Sequence, residues 1–124
     1  MTIATILQSR TGAVFTASAD ELVEQVAARL AEQRIGALPV VDGYRVIGIF
    51  SERDVIYGLA KHGSAMLQKK VAEVMTAPAI TVTADTPVLS ALSLMTRRRI
   101  RHLPVVDDDR ISGFVSIGDL VKFR

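Results

Sequence analysis

The sequence has no cysteine, no tryptophan and only two histidines among its 124 residues. Lack of cysteine excludes disulfides, a thiolate nucleophile and zinc sites built on thiolates. His62 and His102 are too widely separated to give a metal-ligand spacing. Aromatic residues make up 5% of the chain, which leaves little surface on which nucleic-acid bases could stack. The formal net charge of +2 is far from the dense basic face that binding to a phosphate backbone requires. No window reaches the roughly 18 uninterrupted apolar residues of a membrane span. The first residues also lack the charged start and apolar stretch of a signal peptide. The expectation is a cytoplasmic protein with neither a membrane nor a nucleic acid as partner.

What is present is a repeat. Displacing the sequence by 65 positions lays Leu38-Pro39-Val40-Val41-Asp42 on Leu103-Pro104-Val105-Val106-Asp107. The same shift pairs Thr16 with Thr81, Asp20 with Asp85, Arg34-Ile35 with Arg99-Ile100, Gly48 with Gly113, Ser51 with Ser116 and Asp54 with Asp119. About fifteen of the forty-two positions from Val14 to Val55 are identical without a gap. A fainter echo precedes each copy, Ile3-Ala4-Thr5-Ile6-Leu7 against Val71-Ala72-Glu73-Val74-Met75. Two units are therefore expected, at 3–61 and 71–124, with a linker at 62–70. With 49% apolar residues the chain can build a core, chiefly from Val, Ile, Leu, Ala and Met.

Each copy reads β-α-β-β-α. Short β-type runs at Val14-Phe15-Thr16 and Ala79-Ile80-Thr81-Val82 open the copies. Ser18 with Glu21 has capping-box spacing, and Asp85-Thr86-Pro87 offers a cap followed by a first-turn proline. Helical spacing follows at Val23, Val26, Ala27 and Leu30, and at Val88, Ala91, Leu92 and Met95. A hairpin comes next, with turns at Asp42-Gly43-Tyr44-Arg45 and Asp107-Asp108-Asp109-Arg110. A last helix starts at Ser51 or Ser116. Met66, Met75 and Met95 fall at apolar spacing and read as core. The run Arg97-Arg98-Arg99-Ile100-Arg101 reads as a solvated helix end, and so does His62. The three aspartates of the second turn lack the loop and terminal glutamate of a calcium site.

The motif with most chemistry is Gly48-Ile49-Phe50-Ser51-Glu52-Arg53-Asp54, repeated as Gly113-Phe114-Val115-Ser116-Ile117-Gly118-Asp119. Ser-x-x-Asp at a helix start is a capping box with Asp in place of Glu. The same residues could bind a nucleotide: helix N–H groups and a hydroxyl suit phosphate, and a carboxylate accepts both hydroxyls of a ribose diol. The sequence motif alone leaves both uses open. No histidine stands at a compatible spacing beside both serines, and no glycine-rich phosphate loop occurs, so catalysis is not expected.

Taken together, the Leu-Pro-Val-Val-Asp strands, the Gly-x-x-Ser-x-x-Asp turns, the duplication and the Val-Ala-Glu-Val-Met lead-in resemble a tandem cystathionine-β-synthase (CBS) domain pair. Residues 115–122 are similar to stand-alone bacterial members. The resemblance implies an α/β fold in which two units pack through their sheets about a pseudo-twofold axis. It implies a regulatory sensor of an adenosine compound (AMP, ADP, ATP or NAD) rather than an enzyme, with no cofactor required. A homodimer and a separate effector protein are also implied. Carried over by position, one site would use Thr16, His102, Ser116 and Asp119, and the other Thr81, Ala37, Ser51, Arg53 and Asp54. His102 also suits a packed, hydrogen-bonded ring. The alternative is a dimerisation scaffold that binds no ligand.

Overall fold

The structure, a computed structural model, describes residues 1–9 and 14–122, so the expected second copy runs two residues past the last described one. In chain order its elements are α1 (Ile3–Gln8), β1 (Ala17–Ser18), α2 (Val23–Gln33), β2 (Ala37–Asp42), β3 (Arg45–Ser51), α3 (Glu52–His62), a 3₁₀ segment (Gly63–Gln68), α4 (Val71–Val74), α5 (Val88–Arg98), β4 (His102–Asp107), β5 (Arg110–Ser116) and α6 (Ile117–Val121). The described residues thus form a mixed α/β fold with two sheets and six α-helices.

Two compact units divide the chain, one of Phe15–Ala79 and one of Met1–Val14 with Ile80–Arg124. In the first, β1 pairs parallel with β2, and β2 pairs antiparallel with β3 from Ala37↔Ser51 to Asp42↔Arg45. In the second, β4 pairs antiparallel with β5 from His102↔Ser116 to Asp107↔Arg110. The two hairpins share one register, and each has an irregularity at the same place, between Val40 and Val41 and between Val105 and Val106. Val23, Val26 and Leu30 of α2 pack with Leu38, Val40 and Phe50 in one core. Val88, Ala91 and Met95 of α5 pack with Leu103, Val105 and Val115 in the other. Both helices close on a left-handed arginine, Arg34 and Arg99, each at φ 54. The next residue then donates back into the last turn, Ile35 to the Leu30 carbonyl and Ile100 to that of Met95.

Four local expectations are corrected. Val14-Phe15-Thr16 is not strand: pairing starts at Ala17, because only Ala17 and Ser18 lie against β2. Ala79 to Val82 forms no strand either, and is reduced to one parallel bridge between Val82 and Val105. Ser18 and Glu21 do not cap α2. Their backbones and the Glu21 carboxylate close a turn of their own, and the helix begins after Leu22, whose N–H donates to Gln25 Oε1. Pro87 likewise takes the cap position itself rather than the first turn.

The lead-ins lie in the opposite units from those the repeat suggests. α1 precedes the first copy in sequence, yet Ile3 and Ile6 lie buried in the core built on α5, β4 and β5. α4 precedes the second copy, yet Val71 lies buried in the core of α2, β2 and β3. The hydrogen bonds repeat the exchange. Ile3 and Ala4 at the start of α1 donate to the carbonyls of Thr86 and Ala84, and Val88 donates to that of Met1. In the other unit Val71 and Ala72 donate to Glu21 and Ala19, and Val23 donates to Lys69. The N–H groups that a helix start leaves without an intrahelical partner are thus satisfied by the neighbouring loop.

The exchange also explains the glycine of the repeated motif. A Cβ on Gly48 would stand 2.7 Å from Met75 Sδ and 2.9 Å from the Thr76 carbonyl oxygen. A Cβ on Gly113 would stand 2.6 Å from a Leu7 methyl. Each glycine is the seat on which a lead-in residue lies, Met75 in one unit and Leu7 in the other.

Candidate functional site

The two Ser-x-x-Asp turns have closely matching geometry. Ser51 caps α3: its Oγ accepts from the Asp54 N–H at 3.3 Å, while Asp54 Oδ2 accepts from the Ser51 N–H at 2.9 Å. Ser116 caps α6 in the same way, with Asp119 N–H to Ser116 Oγ at 3.2 Å and Ser116 N–H to Asp119 Oδ2 at 2.7 Å. The capping reading of the motif therefore holds in both units. All four side chains are only half-buried, which leaves them open to a ligand as well.

The helix-start N–H groups that the nucleotide reading draws on are partly engaged within the protein. Glu52 donates to the Gly36 carbonyl at 2.9 Å, and Ile117 donates to the Arg101 carbonyl at 2.8 Å. Together with the Ser–Asp bonds, these tie the first and third N–H groups of each helix internally. Side chains must then supply more of the attraction for an anion. The same bonds bring the backbone just before β2 or β4 up to the turn, so Gly36 and Arg101 hold equivalent places beside the two motifs.

The unit of Phe15–Ala79 gathers Ala37, Ser51, Arg53 and Asp54, with Ala37 directly across the sheet from Ser51. Ala37 is buried in the apolar core, so any contact it makes with a ligand is through its backbone. Arg53 is exposed. Thr16 lies just before β1, half-buried, with its carbonyl accepting from Arg29 at 2.8 Å. The other unit gathers His102, Ser116 and Asp119, with His102 directly across from Ser116. The His102 ring stacks on Phe114, with centroids 5.4 Å apart and the planes 7° from parallel. Thr81 is exposed, next to the bridge at Val82. Among the described residues, no three His, Cys, Asp or Glu side chains group as a metal site, and no helix is long and apolar enough to cross a membrane.

Two features escaped the sequence reading. The first is a fork: Arg29 binds both oxygens of Glu21, at 2.6 and 3.0 Å, while also holding the Thr16 carbonyl. The second copy has Leu94 and Thr86 at these positions, so comparing the copies conceals it. The second is Thr76, whose hydroxyl donates to Asp54 Oδ1 at 3.0 Å. Its counterpart after the first lead-in is Gln8, which gave no signal.

The fork makes stability depend on pH. The Arg29 guanidinium, through its hydrogen bonds, holds the Glu21 carboxyl below its usual 4.5. A folded value below the unfolded one adds stability that is present above the ordinary carboxylate range and lost as pH falls through the folded value. Both side chains keep nearly a third of their surface in solvent, so the contribution is of surface-pair size. Glu21→Gln is expected to cost about 1 kcal/mol at neutral pH and almost nothing in strong acid, measured by urea unfolding. An equal cost at both pH values would contradict this origin.

Comparison with known proteins places this geometry. The sequence model for the CBS domain matches residues 9–61 and 71–124. The chain is 37% identical over 120 residues to the CBS domain-containing protein CBSX3, mitochondrial, of Arabidopsis thaliana. That match takes in 93% of this chain and 58% of the longer relative. Among solved structures, the CBS-domain containing protein ATU1752 from Agrobacterium tumefaciens superposes with a TM-score of 0.92 at 33% identity, covering 98% of each chain. The CBS domain pair of protein MJ0100, in complex with 5′-methylthioadenosine and S-adenosyl-L-methionine, gives 0.86 at 29% identity, over 98% of this chain and 94% of that one. CBSX2 in complex with AMP gives 0.82 at 26% identity, over 98% and 93%.

Proposed function

The chain belongs to the CBS domain family, and from that premise we propose that it is a regulatory module whose Ser-Asp turns bind an adenosine-containing small molecule such as AMP, ADP, ATP or NAD. The observation that carries the reading is the duplication of one half-buried carboxylate with one geometry, Asp54 beside Ser51 and Asp119 beside Ser116. Support comes from two relatives of the same fold that hold adenosine compounds, MJ0100 and CBSX2. An ionised carboxylate has acceptors only, and the ribose hydroxyls are the donors that match it. Arg53 in one unit, and Arg101 in the other, supply positive charge for a phosphate. No covalent step is involved. A ligand that fits one conformation of the module better than another shifts its population, and an effector protein reads the result. Self-association belongs to the same reading, supported by Ile56 and Tyr57 of α3, which leave 63% and 65% of their surface exposed.

A second reading has one observation in its favour: both carboxylates already complete capping boxes, so the pair could serve only as a scaffold without ligand. Thermal unfolding in the presence of AMP, ADP, ATP, NAD or S-adenosylmethionine separates the two. A ligand at a hundred times its dissociation constant adds about 2.7 kcal/mol to the folded state. At least one of the five is expected to raise the midpoint by several degrees. No shift with any of them would favour the scaffold.

A further inference from the structure

The Asp54 carboxylate is more heavily engaged than a helix cap requires. Oδ2 accepts from the Ser51 N–H at 2.9 Å and from the Ser51 hydroxyl at 3.1 Å. Oδ1 accepts from the Thr76 hydroxyl at 3.0 Å. A carboxylate offers about four lone-pair positions, so three are filled and one remains, on Oδ1. A ribose that gives both hydroxyls to one carboxylate needs two.

Thr76 is held in place by more than its own hydroxyl. Its N–H donates to the Ile49 carbonyl at 2.9 Å, and its carbonyl accepts from the Ile49 N–H at 2.9 Å. Ile49 is two residues before Ser51 on β3, so these paired bonds fix the height of Thr76 beside the turn. Gly48 allows this close approach, since a Cβ there would press on the Thr76 carbonyl. The residue is exposed, and its hydroxyl makes no other hydrogen bond among the described residues.

We propose that Thr76 sets the sugar specificity of the Asp54 turn, by filling one acceptor position and leaving Asp54 room for a single ligand hydroxyl. This rests on the reading that Asp54 receives a ribose. Either the 2′- or the 3′-hydroxyl can take the one open position, so losing either alone costs little. Removing the Thr76 hydroxyl opens a second position, and the turn then gains by holding both. Thr76 is thus a positioning residue that acts through Asp54, and its substitution alters discrimination between sugars rather than the fold.

The experiment is a site-resolved titration of the full chain by NMR, following the Ser51 and Thr76 amides with AMP, 2′-deoxyAMP and 3′-deoxyAMP. In the native sequence the three dissociation constants are expected within about threefold of one another. In Thr76→Val, each deoxy analogue is expected to bind about tenfold more weakly than AMP, the scale of one hydrogen bond to a charged group. Thr76→Ser restores the hydroxyl and should restore the flat profile. If Asp54→Ala weakens AMP at these amides but Thr76→Val discriminates no better than the native chain, the inference about Thr76 is wrong while the Asp54 reading stands. If none of AMP, ADP, ATP, NAD and S-adenosylmethionine moves these amides, or Asp54→Ala leaves their titration unchanged, both fall.

Discussion

Truncating Ile6 to alanine is expected to cost about 2–5 kcal/mol, and to loosen the unit built on the second repeat rather than the one it precedes. Ile6 is 1% exposed, and packs with Met95, Leu103, Val115 and their neighbours. Removing its branched side chain forfeits the transfer of those carbons from water and leaves a cavity that α1 cannot close. Bonds to Ala84 and Thr86 at its first turn hold the helix in place. Hydrogen exchange locates the loss. Amides of β4 and β5 should lose more protection than those of β2 and β3, because local openings follow the elements whose packing is weakened. Greater loss in β2 and β3 would mean that α1 belongs with the copy it precedes.

That exchange was the largest feature the sequence did not disclose. The hairpins, the long helices and the caps at Ser51 and Ser116 were legible because each depends on local pattern: alternating apolar residues, spacing of three and four, and a hydroxyl before a carboxylate. The lead-ins echo each other at a separation of 68 rather than 65 positions, which showed that they were related but not which core they enter. Placing Ile3 and Val71 depends on bonds to loops far along the chain, and no local pattern encodes these. The first strands were overstated for a related reason. Val14-Phe15-Thr16 has β-type composition, but only Ala17 and Ser18 find a partner on β2. At the candidate site, the Ser51–Asp54 and Ser116–Asp119 capping pairs stand out from the duplication. Thr76 and the Arg29–Glu21 fork do not, because both occur in one unit alone and the comparison of copies selects what is shared.

The inequality of the copies governs the second large effect. Asp119→Ala is expected to remove most of the stabilisation that an adenosine phosphate gives, while costing the ligand-free protein only about 1 kcal/mol as a lost cap. Asp54→Ala should cost somewhat more without ligand, because the Thr76 hydroxyl also loses its acceptor, and remove less of the ligand's contribution. The difference follows from the residues beside each turn. The carbonyl that receives the first N–H of α6 belongs to Arg101, where α3 has Gly36, so the residue beside the Asp119 turn is an exposed arginine rather than a glycine. His102 stands beside it, where the other copy has the buried Ala37. Arg53 gives partial compensation at the Asp54 turn, and its counterpart is Gly118. Thermal unfolding of both variants, with and without ligand, measures the four quantities. Equal losses with and without ligand would reduce both aspartates to helix caps.

On this reading the paired Ser-Asp turns are ligand sites as well as caps. Calorimetric titration of AMP into the native chain and into the Asp54→Ala, Asp119→Ala double variant tests it most directly. The expected result is saturable binding to the native chain and at least a hundredfold loss in the double variant, about 2.7 kcal/mol, with the variant still folded. Unchanged binding in the double variant, or no binding of AMP, ADP, ATP, NAD or S-adenosylmethionine to the native chain, would contradict it.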